Sequence, residues 1–441
     1  MRREVVLLQG PVGPFFARFA DDLEARGFTV TKINLNGGDR FFYRRSGAID
    51  YTGTLDDWEV WLDRLLINRE VGRIYLFGDC RAYHRIAREV ARRRRVRLFV
   101  FEEGYVRPNF VTLEEHGVNG HSPMMTCPIP LEPSEEALEE EIAHPGHVFS
   151  ITALYAMLYY WAAAATYRRF SHYRHHRPVG CVSEGMRWLR SGLRKWRHAW
   201  RERHAATTLE AEFAGNYFVC PLQVHCDTQV VVHSDFNSIE HFIGEVLASF
   251  RERAPANTAI VFKHHPLDRG YSDYTTLLDN LAARLGLHGR VFYVHDLCLP
   301  TLLRGAQGTV LINSTVGLSS LFHGTPVKTL GKAIYDREGL TFGGSLDAFW
   351  SVEGRVDAER FKAFRDNLVA RNQLNGSFYR RVGGPSASGL LWSERLEREH
   401  TFDAENEPAA APRLVVIDGG RAVGDGAADR DGKFDDDTKA A

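Results

Sequence analysis

Short uninterrupted apolar runs recur through the first hundred residues, at 5–8, 30–35, 74–77 and 98–101, and stretches with the period of a helix lie between them. Runs that are apolar at every position suit strands buried on both faces, so the alternation predicts βαβ units and a parallel sheet. One helix is especially legible: Leu55, Trp58, Leu62, Leu65 and Leu66 repeat at helical spacing, Thr54 offers an N-cap, and Asp56 and Asp57 suit the first turn. A second series predicts strands at 217–222, 229–232, 259–262, 291–294 and 309–312, with helices at 239–250 and 274–285. Together they predict an α/β fold of two doubly wound Rossmann-like domains facing each other across a cleft. The expected divisions are an N-terminal domain at 1–130, a helical and basic insertion at 131–212 and a C-terminal domain at 213–402. Residues 403–441, rich in Ala, Gly, Asp and Pro, are expected to be disordered, with Asp435, Asp436 and Asp437 as solvating charge.

The insertion differs in kind from its flanks. Residues 148–167 carry no charge, nominally enough to span a bilayer, yet Tyr155, Tyr159, Tyr160 and Trp161 would sit near its centre instead of at its edges. A buried or interfacial helix is the better expectation. Residues 168–203 then hold eleven Lys/Arg against Glu184 and Glu202, with Leu189, Leu193, Trp196 and Trp200 on one helical face. That composition suits a helix lying on an anionic membrane surface, and it equally suits a solvated helix docked on a neighbouring domain. No nucleic-acid-binding motif accompanies the charge. Across all 441 residues the formal net charge is -1, so the chain is no bulk polyanion binder. Six cysteines without CxxC spacing suggest neither a disulfide framework nor a zinc site, which makes a reducing cytoplasm the expectation. The apolar run at the amino terminus is too short for a signal peptide and reads as the first strand.

Candidate chemistry gathers where the expected strands end. The stretch FVFEEGYVRP, residues 99–108, reads as a buried strand delivering Glu102 and Glu103 to a turn, with Gly104 permitting close backbone approach and Arg107 able to hold an anion. Adjacent strand residues point to opposite sides, so one of the two glutamates is expected to face the cleft; the bland alternative is a strand ending in two solvated carboxylates. Gln9-Gly10-Pro11-Val12-Gly13, Asn36-Gly37-Gly38-Asp39 and Gly78-Asp79-Cys80-Arg81 also follow strands and are expected to share one rim. The first of these lacks both the GxGxxG spacing of a dinucleotide site and the lysine of a P-loop. In the second half, Lys263-His264-His265-Pro266 and Asn313-Ser314-Thr315 offer cations, hydroxyls and free N–H groups, the makings of a phosphate receptor.

The ordered set E-E-G, K-x-H-P and S-T resembles the acidic, His-Pro and Ser-Ser/Thr motifs of bacterial transferases that use CMP-activated sugars. More broadly, LLQGPVGPFF, LFGDCRAYH, VFEEGYVRP, TLEEHGVNG, PLQVHCDTQ, KHHPLDRG, INSTVGLSSLFHGTPVKTLG and NGSFYRR, spread over roughly residues 5–381, resemble the capsule polysaccharide biosynthesis family in its KpsS/LipB branch. The resemblance implies a GT-B-like fold and transfer of β-Kdo from CMP-Kdo to a phosphatidylglycerol-type lipid, initiating the poly-Kdo linker of a capsule. It implies catalytic Glu103, seconded by Glu102, and CMP binding by Lys263, His265, Pro266, Asn313, Ser314 and Thr315. Gln9, Gly10, Gly13, Asp79, Arg81, Arg107 and Gln223 are the remaining expected cleft residues. No cofactor and no metal are expected, because CMP leaves with a single phosphate that protein groups can neutralise. The implied setting is cytoplasmic, peripheral on the inner face of the membrane, with other capsule synthesis and export proteins, including a second Kdo transferase, as partners and no nucleic acid. Related Kdo transferases commonly place aspartate where this chain has Glu103. Its role as nucleophile in a retaining reaction or base in an inverting one stays open, and a sialyl-type transferase or a non-catalytic export subunit are the rival readings.

Overall fold

The early apolar runs become the centre of one sheet. In the computed structural model, which describes residues 3–126, 130–131, 142–175, 181–384 and 386–400, β1 (Glu4–Leu7), β2 (Thr29–Asn34), β3 (Ala48–Asp50), β4 (Val71–Phe77) and β5 (Arg97–Glu103) are parallel. The expected tail at 403–441 lies outside these residues. Helices α1 (Phe15–Ala25), α2 (Gly37–Phe42), α3 (Trp58–Asn68) and α4 (Ala82–Arg94) make the crossovers. Strand alternation explains how one run serves two cores: Phe99 and Phe101 of β5 join Phe15 and Phe19 on one face, while Leu98 and Val100 join Trp58 and Leu62 on the other. Phe19 meets Phe101 edge to face at 5.0 Å. Burying each such ring stabilises the sheet by about 1.5–3 kcal/mol.

β6 (Phe110–Glu115) turns back antiparallel to β5 and leaves an open edge. The second half forms its own parallel sheet from β7 (Tyr217–Pro221), β8 (Ala259–Lys263), β9 (Val291–Val294), β10 (Gly308–Leu311) and β11 (Val327–Thr329), in the order β11-β10-β7-β8-β9. Both sheets therefore wind outward in two directions from their first strand, and each has a crevice where the winding reverses, at β1/β4 and at β7/β10. The chain then returns: β12 (Gln373–Asn375) pairs antiparallel with β6 and covers its edge, giving the order β12-β6-β5-β4-β1-β2-β3. Phe378, Leu390 and Leu396 follow it into the Phe15 core. The last segment of the expected 213–402 domain thus belongs to the first sheet, a crossing that a three-residue strand does not announce in sequence.

One strand expectation changes, and two expected helices take their places. Residues 229–232 are not a strand but lie in α7 (Thr228–His233), because Asp227 caps the Gln229 N–H at 2.9 Å, while Val231 and Val232 face solvent and not a core. The uncharged stretch forms α5 (Phe149–Ala165), and no described helix is long and apolar enough to cross a membrane. The basic stretch is α6 (Cys181–Glu212), two of whose arginines bond to backbone of the second lobe: Arg190 donates to the Gly270 carbonyl at 2.7 Å and Arg194 to the Arg269 and Ser272 carbonyls at 2.9 and 3.0 Å. Glu202 accepts from the Asp296 N–H at 2.8 Å. So α6 is fastened along the second sheet's lobe; Leu189 and Trp200 lie outside the described side chains.

Candidate active site

A cleft of about 300 Å³ opens where the carboxyl edges of the two sheets meet. From the first lobe it is lined by the loop after β4 (Gly78, Asp79, Cys80, Arg81), the end of β5 (Glu102, Glu103) and the turn residues Tyr105 and Arg107; from the second by Gln223, Asp227, Gln229, His265, Asn313, Ser314, Thr315, Lys332 and Tyr335. Both adjacent glutamates reach it, against the expectation of one. They occupy the last two positions of β5, opposite Thr112 and Val111 of β6, where side chains from either face can lean over the rim.

The two carboxylates are held differently. Glu102 accepts the Glu103 N–H at 3.0 Å, and burial, reinforced by the charge of Glu103, pushes its carboxyl up to about 7 despite Arg81 nearby. Glu103 accepts the Tyr379 hydroxyl at 3.0 Å, and burial beside that carboxylate raises the phenol well above its ordinary value, so Tyr379 stays a donor. The turn after them is shaped by the returning chain. Gln373 accepts from the Tyr105 N–H at 2.9 Å, and a Cβ at Gly104 would stand 2.0 Å from the Phe110 carbonyl oxygen, so only glycine fits. Arg107 donates Nε to the Gly104 carbonyl at 3.1 Å, leaving its terminal nitrogens for an anion. Tyr379 and Gln373 escaped the sequence reading because nothing local marks a residue some 270 positions away as a support for the acidic turn.

Opposite, His265 begins the turn Pro266–Asp268, and its Nδ1 accepts the Leu267 N–H at 3.2 Å. Because Nδ1 accepts that N–H, the ring's proton is placed on Nε2 as a hydrogen-bond donor, and burial lowers the imidazole from its ordinary value in the same sense. Asn313 is fixed by Gln223 and Gln229: its Oδ1 accepts Gln223 Nε2 at 3.0 Å and its Nδ2 donates to the Gln229 carbonyl at 3.1 Å. Gln229 Oε1 is buried and has no hydrogen-bond partner, an acceptor awaiting a ligand's donor. Ser314 and Thr315 sit, as expected, between β10 and the start of the helix Val316–Phe322, where Tyr335 donates to the Ser314 carbonyl and Gly317 makes room for the Tyr335 ring.

Five expected residues stand elsewhere. Lys263 is buried with Nζ on the His295 carbonyl, its ammonium lowered by burial; Lys332, unanticipated, supplies the lysine of the cleft. Pro266 is exposed behind His265. Gln9 lies beneath the rim, its Oε1 accepting Arg81 Nη1 at 2.8 Å and its Nε2 donating to the Tyr159 hydroxyl at 2.9 Å. Gly10 makes room for the Phe16 ring of α1, where a Cβ would stand 2.9 Å away, and Gly13 seats α5: with φ +113°, a Cβ there would meet the Tyr155 ring at 2.7 Å. Asp79 lines the cleft but is fully buried, and burial's upward pull on its carboxyl is outweighed by the hydrogen bond from His121 Nδ1 at 3.0 Å and by that histidine's charge. It braces the wall.

Two described side-chain groups have the donors for a cation. His198, Glu202 and His295 are buried together, but the imidazoles stack at 3.6 Å and the Glu202 oxygens already accept backbone N–H bonds, which makes the group a fastening of α6. Cys80, His121 and His233 stand beside the cleft, with Cys80 Sγ 3.9 Å from His233 Nε2. Sulfur and imidazole donors suit zinc, whereas the magnesium or manganese that serves sugar diphosphates takes oxygens.

The chain is similar to known proteins. Residues 73–379 match the family model of the capsule polysaccharide biosynthesis protein. The chain is 37% identical over 385 residues to the Capsule polysaccharide export protein KpsS of Escherichia coli, covering 86% of this chain and 97% of that one. It is 39% identical over 389 residues to the Capsule polysaccharide modification protein LipB of Neisseria meningitidis serogroup A, covering 87% and 93%. Among solved structures, the β-Kdo 2,7 transferase KpsC of Thermosulfurimonas dismutans aligns over 87% of this chain and 96% of its own at a TM-score of 0.41 and 13% identity. With the acidic turn, the His-Pro turn and the Ser-Thr step in one cleft of a two-sheet, GT-B-like fold, the chain belongs to the capsule polysaccharide biosynthesis family.

Proposed function

We propose that this protein is a glycosyltransferase that moves a β-Kdo residue from CMP-Kdo to a phosphatidylglycerol-type lipid on the inner face of the cytoplasmic membrane. The observation that carries the reading is the meeting in one cleft of Glu102 and Glu103 with His265, Asn313, Ser314 and Thr315. A CMP-sugar would lie with its phosphate against the Nε2–H of His265, the Ser314 hydroxyl and the cations Lys332 and Arg107, which take up the charge that develops as the bond to the sugar breaks. Gln229 Oε1 offers the nucleoside an acceptor for a sugar hydroxyl or the base amine. Glu103, held by Tyr379, then faces the anomeric carbon. In a retaining route its carboxylate takes the sugar and Glu102, with a carboxyl near 7, accepts the proton of the attacking acceptor hydroxyl. No metal has a part in phosphate departure.

The Escherichia coli relative's name describes export, and a non-catalytic assembly role is the second reading. Mass spectrometry of products formed from CMP-Kdo and lysophosphatidylglycerol separates the two. A Kdo-bearing lipid is the expected result; intact CMP-Kdo after incubation with folded protein that also fails to bind CMP overturns the proposal.

A further inference from the structure

The uncharged helix α5 has two faces that do opposite things. Tyr155, Tyr159, Ala162 and Thr166 lie on one stripe, and that stripe is seated on the rim loops: a Cβ at Gly38 would strike the Tyr159 ring at 2.6 Å, and one at Gly37 would strike Thr166 and the Ala162 carbonyl. The opposite stripe, Leu154, Met157 and Trp161, faces outward with 45%, 58% and 60% of each residue exposed. A helix apolar on both sides is ordinarily buried on both. This one is buried on one side only.

We propose that the outward stripe of α5 lies in the headgroup region of an anionic bilayer and holds the cleft at its surface. Three observations favour lipid over a protein partner. The stripe contains no charge or hydrogen-bonding side chain that would specify a partner, apart from the indole of Trp161, a group that prefers the membrane interface. Exposed Tyr167, Arg168 and Arg174 follow directly at its carboxyl end, the order of apolar body and cationic edge that suits acyl chains beneath phosphates. Moreover α6, which touches α5, adds exposed Leu193, Lys195 and Trp196. The helix is seated one layer from the chemistry, since Tyr159 bonds to Gln9, Gln9 to Arg81, and Arg81 lines the cleft. The inference rests on the reading of a lipid acceptor for its purpose, though not for its geometry.

The test is flotation of the full chain with vesicles of phosphatidylcholine alone or mixed with phosphatidylglycerol, alongside transfer to vesicle-embedded and to short-chain soluble acceptor. Wild type should float with the mixed vesicles. Met157→Glu with Trp161→Glu should reduce flotation at least ten-fold while leaving the thermal midpoint and turnover on soluble acceptor within two-fold. Arg168→Gln with Arg174→Gln should weaken binding by about ten-fold or more, since each cation near an anionic surface is worth roughly five-fold. Flotation without transfer to any acceptor would uphold the surface and remove only the lipid-acceptor reading. Failure of wild type to float, or equal flotation of the double glutamate variant, overturns the assignment of α5.

Discussion

At the first sheet's carboxyl edge the cleft receives Glu102, Glu103 and Asp79; at the second sheet's edge it receives His265, Asn313, Ser314 and Lys332. The two sheets share one winding, yet their rims carry opposite chemistry. Because every strand of a doubly wound sheet delivers its last side chains to the same edge, topology fixes where a ligand binds and only the strand-end residues decide what it can be. Under the proposed function that difference puts the reacting carboxylates on the first lobe and, Arg107 apart, the groups that meet the phosphate on the second, a division that substitutions on each side can break.

The largest effect is expected at Glu103. Glu103→Gln should lower turnover about 10³-fold or more while calorimetry finds CMP affinity within about two-fold, since the loss falls on the transition state alone. Appreciable turnover by a folded Glu103→Gln protein, or loss of CMP affinity, would end the division between lobes. On the other rim, His265→Ala and Ser314→Ala should each weaken CMP binding about ten-fold, the scale of a hydrogen bond to a charged group. Lys332→Met should do the same, and Lys263→Met, which touches no cleft residue's function, should leave CMP affinity within about two-fold.

That contrast between two lysines shows how far the sequence could be read. The β1, β2, β4, β5, β7, β8, β9 and β10 strands announce themselves as apolar runs, and the acidic turn, His265, Asn313, Ser314 and Thr315 all follow such runs directly. Lys263 follows one too, but its side chain turns under the rim to the His295 carbonyl, a choice set by tertiary packing. Gly10 and Gly13 looked like substrate loops because glycine after a strand permits close approach; the approaching groups are Phe16 of α1 and Tyr155 of α5. Gln373 and Tyr379 support the acidic turn from a strand too short to register as a period, and α6 has the composition of a membrane helix while its arginines bond to carbonyls.

The pH response sharpens the comparison within the acidic rim. The Glu102 carboxyl is raised to about 7 from an ordinary 4.5, so the folded state holds its proton more tightly than the unfolded chain does. Its contribution to stability is therefore fully present below pH 4.5 and lost as pH rises through about 7, with an upper bound of about 3 kcal/mol. Glu102→Gln should raise the thermal midpoint at pH 8 and leave it nearly unchanged at pH 4.5. A midpoint lowered at pH 8 would mean that the charged form is the one the fold favours. Smaller again is the effect on α6. Arg190→Gln with Arg194→Gln removes charge-assisted bonds of about 1 kcal/mol each, so stability should fall and activity on lipid and soluble acceptors should decline together. A loss confined to vesicle-embedded acceptor would mean that Arg190 and Arg194, and not only the exposed Leu193, Lys195 and Trp196 of α6, serve the membrane surface.

The smallest effect expected is that of a chelator. A nucleotide diphosphate presents two adjacent charges that a divalent cation ordinarily bridges, whereas in the proposed reaction CMP would depart with one phosphate, for which the second rim offers the Nε2–H of His265, the Ser314 hydroxyl and Lys332. Turnover in EDTA should stay within about two-fold of that in magnesium, because the protein groups do what the cation would. If activity falls in EDTA and magnesium or manganese restores it, the phosphate needs oxygen-bound metal and the role given to the second rim is wrong. If zinc alone restores it, the cation belongs instead with Cys80, His121 and His233, where the first lobe meets α7 of the second. Cys80→Ser decides between them: it should abolish the zinc response and leave a magnesium response untouched.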